Sequence, residues 1–364
     1  MEIDRYLEIE SNPIIREDIK NIILEPNINW DFFREKTVLV SGGAGFLASY
    51  LIKALLAANA SYELNLHIIA LIRSYKSLDY RFSSWLDDQN IQFVQRDIIL
   101  PLPKGFAKAD IIIHAASQAS PKYYGIDPVG TILPNTIGTL NLLDYGKESS
   151  AQKFVFFSSG EVYGNRENTD RIREDEFGSL DPLQLRSCYA ESKRMGENIC
   201  VSYSNQYSVF TNVIRPFHTY GPGMYLDDGR VFADFVSNIV NNKDIVLKSD
   251  GSAKRAFCYI SDATKGFLTV IIRGGSSQAY NIGNPFTEIS MKDLAQVLVN
   301  LYPERKLRIE IRLVSNENED KSYLKSQVRS ISPNIEKAQK LGWLPKVGIE
   351  EGFTRTIESY ISTK

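Results

Sequence analysis

The chain has 364 residues with 42 basic and 44 acidic side chains, a net charge of −2, and 43% hydrophobic and 24% charged residues. That length exceeds one ordinary core and calls for two domains or one large domain with a lobe, while the balanced charge leaves no global field to draw in nucleic acid or an anionic membrane. No apolar run reaches membrane-spanning length, and three scattered cysteines (Cys188, Cys200, Cys258) with three histidines (His67, His114, His218) match neither a disulfide framework nor a metal site.

The N-terminus, MEIDRYLEIE, lacks the basic start and apolar centre of a signal peptide, so a reducing cytoplasmic setting is expected. Residues 1–35 read as a helical extension packed on the body or on a second subunit. Ile14, Ile15, Ile19, Ile22, Ile23 and Leu24 recur at helical spacing, and Trp30-Asp31-Phe32-Phe33 is a second apolar anchor. Then comes TVLVSGGAGFLA, Thr37 to Ala48. A β-branched apolar run breaks into glycines and resumes at helical spacing. Strand, glycine turn and helix is the arrangement that sets a pyrophosphate on a helix N-terminus, where free N–H groups and the dipole favour negative charge. Gly42 allows the tight turn, Gly45 lets the backbone approach phosphates, and Ala48 stands where a third glycine would help the helix pack.

A second strand is expected over Leu66–Ile72. The acid that holds ribose hydroxyls in NAD sites is missing from its end; Arg73-Ser74 and Lys76 stand there instead and tilt the reading towards NADP. A third strand, Ile91–Val94, runs into Asp97, which can accept from an adenine amino group or cap a loop. A fourth, Ala109–Ile113, ends in His114-Ala115-Ala116-Ser117, small residues that leave room for a ligand. Asn135 to Thr139 begins or interrupts the next helix. A fifth strand, Phe154–Phe157, ends in Ser158-Ser159-Gly160-Glu161. Repeating strand and helix signals imply a parallel, doubly wound sheet.

Residues 165–187 are polar without a clear period and form a candidate lid. Ser187 opens a helix carrying Tyr189 and Lys193, which share one face four residues apart. A lysine beside a tyrosine favours the phenolate and lowers its pKa; alone, the spacing also describes an ordinary packing pair. After a strand at Val209–Ile214, the loop Arg215 to Gly223 is stiffened by two prolines and two glycines. Lys254 and Arg255 are expected in a loop before a strand, as anion ligands or surface charge. Ser261-Asp262-Ala263 looks like a helix N-cap. The tail has helices near Met291–Leu301 and Ile349–Ile361, with a charged stretch through Lys325 between them.

The glycine turn, the Ser-Ser strand end and the Tyr-x-x-x-Lys helix, in this order, resemble the extended short-chain dehydrogenase/reductase family, from about Lys36 to about Ala295, and within it the nucleotide-sugar epimerases, dehydratases and decarboxylases. Similarity is greatest to UDP-glucuronate decarboxylases, through His114–Pro121 with Tyr124, Asn135–Leu140, Glu161–Gly164, Arg186–Lys193, Asp228–Val231 and Gly251–Asp262. The resemblance implies a Rossmann-type doubly wound parallel sheet over residues 36–215 and a smaller α/β substrate lobe over 216–364, some of whose segments return to the sheet. It implies that Tyr189 is the base for the sugar O4 proton, that Lys193 holds the cofactor ribose, that Ser159 bonds the same hydroxyl, and that Glu161 is the active-site carboxylate. Bound NAD or NADP, regenerated each cycle, would meet Gly42, Gly45, Phe46, Leu47, Arg73, Asp97, Ile98, Ala115, Ala116, Asn135, Ser158, Tyr189, Lys193 and Arg215. A nucleotide-diphosphate sugar would meet Ser120, Tyr124, Glu161, His218, Arg230 and Arg255. Gly160 stands where the decarboxylases carry serine and the hexose 4,6-dehydratases aspartate, which argues against dehydration; His218 replaces an asparagine. The family expectation is a cytoplasmic homodimer acting on UDP-glucuronate. 4- or 5-epimerisation, 4,6-dehydration and non-catalytic dinucleotide sensing are the alternatives.

Overall fold

The computed structural model describes residues 6–78, 80–166, 170–312 and 330–362. The expected charged stretch through Lys325 lies, from residue 313, outside them. Helix α1 (Pro13–Ile23) starts where Asn12 Oδ1 accepts from the N–H groups of Ile14 and Ile15 at 3.1 and 3.2 Å. Ile15, Ile19, Ile22 and Ile23 form its buried face, and it packs on the body of the same chain. Trp30 and Phe33 are buried as the second anchor, the indole donating to Ile23 O at 3.0 Å.

Strand β1 (Thr37–Ser41) leads through the glycine turn into α2 (Phe46–Tyr62). β2 (His67–Ile72), β3 (Ile91–Gln95) and β4 (Ile111–His114) follow. α3 (Pro128–Asn135) is interrupted at Thr136 and continued by α4 (Ile137–Ser149). Next are β5 (Lys153–Phe157), α5 (Cys188–Tyr207), β6 (Thr211–Pro216) and β7 (His218–Tyr220). α6 (Val231–Val240), β8 (Ile245–Leu247), β9 (Lys254–Tyr259), α7 (Ile260–Arg273) and β10 (Gln278–Ile282) complete the central part. β11 (Glu288–Ser290), α8 (Met291–Leu301), β12 (Ile309–Ile311), β13 (Ser330–Ile331), α9 (Glu336–Gln339) and α10 (Ile349–Ile361) make up the remainder.

Seven parallel strands form one sheet in the order β3-β2-β1-β4-β5-β6-β10. The order reverses between β1 and β4, where Ser41 lies opposite His114. In an open α/β sheet that reversal opens a crevice at the carboxyl ends of the strands. Apolar side chains fill both faces beneath it; α2 is buried along most of its length. Beside the crevice, β7, β11 and β13 each pair with β9 in a second, smaller sheet, and β8 pairs with β12.

Two local expectations change. Lys254 and Arg255 are the first residues of β9 rather than loop residues, because β9 is paired on both sides there. Asp262 does not cap a helix: α7 already starts at Ile260, and the Asp262 carboxylate accepts from the N–H groups of Lys346 and Val347 at 2.6 and 2.7 Å. No helix among the described residues is long and apolar enough to cross a membrane.

Candidate active site

A cavity of about 840 Å³ opens over the strand ends. Its walls are the glycine turn with the start of α2, the ends of β4, β5 and β6, Gly164 with Asn165, residues of the stretch from Leu180 to Ser187, the start of α6, and β8 and β9. The glycine turn is shaped by backbone contact. Gly42 has φ +70°, and a Cβ on it would lie 2.6 Å from Ala116 Cα, so only glycine is accepted without strain. Gly45 caps α2 with no side-chain hydrogen bond, and Phe46, Leu47 and Ala48 line the cavity behind it. Buried Ser117 and Ser158 hydroxyls, both in cleft-lining residues, have no partner among the described residues. An open helix N-terminus, a backbone cradle and orphaned hydroxyls fit a dinucleotide. No group of three or more potential metal ligands occurs among the described residues.

Below the crevice, His114 is buried and bonded on both nitrogens. Pro134 O can only accept, so Nε2 (3.0 Å) carries the proton and Nδ1 accepts from Ser41 Oγ at 2.8 Å. Ser41 Oγ in turn accepts from Ala116 N–H at 3.3 Å. This chain fixes the ends of β1 and β4 to each other. Burial pulls the His114 pKa from the usual 6.5 to about 3, so the unfolded chain takes up its proton first. The stability this contributes is complete above pH 6.5 and is lost as the pH falls towards 3. Asp18, pushed up to about 6 by burial, works in the opposite sense over the same window, so the effect is read by difference. Between pH 7 and about 5, wild type should lose more urea-unfolding stability than His114→Gln; parallel profiles would mean that His114 is not held neutral.

Tyr189, Lys193, Ser159 and Glu161 come together at one end of the cavity. Ser159 Oγ accepts from Glu161 N–H at 3.2 Å and stands beside the Tyr189 phenol, whose pKa it pulls down. Tyr124 stacks on Tyr189 with ring centres 5.0 Å apart at 13°. Lys193 is buried one turn along α5 and donates to Phe157 O at 2.6 Å. Here the electrostatic expectation is corrected. Burial pushes the Tyr189 phenol up to about 12, against the lowering pull of Ser159, and drives the Lys193 ammonium down to about 7. Desolvation is the largest influence on the phenol, and the Lys193 Nζ is turned to the strand carbonyl of Phe157.

Of the other expected cofactor residues, Gly45, Phe46, Leu47, Ala115 and Ser158 line the cavity. Gly42 and Ala116 are pressed against each other at its edge. Ile98 packs under Gly138, the Asp97 carboxylate caps Ile99 N–H at 3.1 Å, and Arg73 is exposed at the end of β2. Asn135 is buried behind α5, where its Nδ2 donates to Ser192 Oγ and Thr131 O. Arg215 is a correction: its guanidinium donates to both Glu197 oxygens (2.9 and 2.6 Å), to Tyr163 Oη and to Glu174 O, and it does not line the cavity. Its donors hold β6 to α5.

Of the expected substrate residues, Tyr124, Glu161, His218, Arg230 and Arg255 line the cavity. Ser120 instead donates to Asp228 O, and Arg230 is paired with Asp228. The sequence reading assigned no role to Arg186, whose Nη atoms meet the two Glu161 oxygens at 2.9 Å each. A basic residue three positions ahead of Tyr189 was the available signal. It also missed Arg81, which is only 8% exposed and donates to Ala44 O (3.0 Å) in the glycine turn and to Gly223 O (2.9 Å) in the loop facing it.

Residues 38–283 match the model of the NAD dependent epimerase/dehydratase family. UDP-glucuronic acid decarboxylase 6 of Arabidopsis thaliana is 34% identical over 337 residues, 92% of each chain. UDP-glucuronic acid decarboxylase 1 of Danio rerio is 31% identical over 99% of this chain and 82% of its own. The crystal structure of UDP-glucuronic acid 4-epimerase from Bacillus cereus, in complex with UDP-glucuronic acid and NAD, superposes with a TM-score of 0.75 at 21% identity, covering 90% of this chain and all of that one; this likeness bears on the fold.

Proposed function

The chain belongs to the NAD dependent epimerase/dehydratase family, and from that premise we propose that it decarboxylates UDP-glucuronate by way of a 4-keto sugar. The family is one of enzymes acting on nucleotide sugars with NAD. Two full-length relatives named as UDP-glucuronic acid decarboxylases support the finer reading. The observation that carries the choice against dehydration is Gly160. A Cβ there would lie 3.2 Å from the Phe217 ring, so an acid to help expel a C6 hydroxyl is absent and has little room.

Bound NAD supplies a hydride acceptor that takes the C4 hydrogen and later returns it. Tyr189 removes the O4 proton as that hydrogen leaves. Ser159, beside the phenol, lowers its pKa and would bond the same sugar hydroxyl. Lys193, buried one turn away, holds the cofactor ribose. The new 4-ketone lies β to the C5 carboxylate, so the C5–carboxylate bond breaks, carbon dioxide leaves, and the electron pair passes into an enolate. A proton from water at C5, and hydrogen returned to C4 as Tyr189 gives its proton back to O4, give a UDP-pentose. Arg230 and Arg255 provide positive charge for the diphosphate and the carboxylate. Residues 36–215 hold the cofactor and 216–364 mainly the sugar nucleotide.

The same reading includes a cytoplasmic homodimer whose subunits meet through α3, α4 and α5. Val129, Ile137, Met195 and Val201 are exposed on those helices, and the three cysteines are free thiols. Purified protein incubated with UDP-glucuronate and NAD should yield carbon dioxide and a UDP-pentose, or its 4-keto form, by mass spectrometry. An unchanged mass with inversion at C4 by proton NMR would replace decarboxylation with epimerisation.

A further inference from the structure

We propose that Arg186 sets a preference for acidic sugars by cancelling the charge of Glu161, an inference that rests on reading the substrate as a UDP-uronate. Arg186 stands on the turn Leu185–Ser187, immediately ahead of the helix that carries Tyr189. Its two-point pair with Glu161 is the fork geometry that a guanidinium makes best. Its guanidinium carbon also lies 4.8 Å from the centre of the Tyr124 ring, which stacks on Tyr189. From the other side the Glu161 backbone N–H donates to Ser159 Oγ, which stands beside the same phenol. Arg186, Glu161, Ser159 and Tyr124 therefore form a ring of neighbours about the Tyr189 side chain that is to take the proton.

The chemistry of a uronate makes this ring consequential. Its carboxylate hangs on C5, the carbon next to C4. A sugar seated with O4 at Tyr189 thus carries a negative charge into the neighbourhood of Glu161, whose side chain keeps 37% of its surface open. Two carboxylates brought close together repel, and a neutral hexose is spared this. With Arg186 on both oxygens, Glu161 presents a neutral pair, and Arg255 on strand β9 adds positive charge to the same cleft. Arg255 is near enough to feel both Glu161 and Arg186. Arg186 therefore acts through Glu161, as a positioning and charge-balancing residue.

The test is isothermal titration of full-length protein with NAD, in a Tyr189→Phe background that suppresses turnover, using UDP-glucuronate and UDP-glucose. Adding Arg186→Met should weaken UDP-glucuronate by about tenfold or more and UDP-glucose by less than about threefold, a change in selectivity that a merely structural role would not produce. Adding Glu161→Gln to that variant should restore UDP-glucuronate binding to within about threefold of the parent, because the charge to be cancelled is gone. Equal weakening of both sugars would overturn the inference. So would a Glu161→Gln combination as weak as Arg186→Met alone, which would put Arg186 on the substrate carboxylate itself. A parent that binds UDP-glucuronate no better than UDP-glucose would overturn the uronate reading first and this inference with it.

Discussion

Tyr189→Phe is expected to cut turnover of UDP-glucuronate by about 10²–10⁴-fold, the usual contribution of a positioned general base, while the fold survives. The substitution removes one oxygen and keeps the ring. That ring is held by stacking on Tyr124 at 5.0 Å, and Lys193 remains anchored on Phe157 O. The lost hydroxyl stands beside Ser159, whose Oγ still accepts from Glu161 N–H. Substrate affinity and the thermal melt should therefore change little, and the loss should fall on kcat. Near-normal kcat in a folded variant would remove Tyr189 from the chemistry. The buried phenol, pushed up to about 12, further implies that wild-type activity rises with pH until some other group limits it.

The second large effect lies far from the sugar. Glu10→Ala should destabilise the protein by about 3–5 kcal/mol, the cost of leaving one half of a buried ion pair behind. Glu10 and Lys53 are 4% and 3% exposed. Lys53 Nζ meets Glu10 Oε2 at 2.5 Å, the Trp85 indole donates to the same oxygen at 3.0 Å, and Asn12 N–H donates to Oε1 at 3.1 Å. Three donors lose their acceptor together. The double replacement Glu10→Leu with Lys53→Met should recover much of the loss, since an apolar pair in such a site is often neutral or better. Urea midpoints of the three proteins decide it; an unaffected Glu10→Ala would mean that the extension is only loosely attached. Lys53 lies on α2, the helix that opens at the glycine turn, so the extension braces the element that faces the dinucleotide.

Glu10 illustrates why some of this molecule was legible in sequence and some was not. The β1 turn into α2 could be read because strand, glycines and helix are contiguous and each local preference agrees with the next. Tyr189 and Lys193 could be paired because four residues make one helical turn. Glu10 and Lys53 are separated by 43 positions, and Glu161 and Arg186 by 25; no periodicity announces which acid meets which base once the chain has folded. The same limit misplaced Arg215, which the family resemblance offers as a cofactor residue yet is consumed by Glu197 on α5. It also hid the state of Tyr189, where desolvation is the largest influence, because burial is a property of the assembled fold.

Arg81 joins the carbonyl of Ala44 to that of Gly223, and the loop holding Gly223 is pinned again where the Tyr80 hydroxyl donates to Met224 O at 3.1 Å. A guanidinium so enclosed cannot release two carbonyls until water reaches them, so the two rims part only through local unfolding. Exchange of whatever lies along the glycine turn is thereby expected to follow slow breathing of the protein, more slowly than a sugar enters past Asp227 and Arg230 at the other end of the cleft. A catalyst that regains its oxidant at the close of every cycle is served by that separation of clocks: the reactant is a visitor and the redox partner a resident.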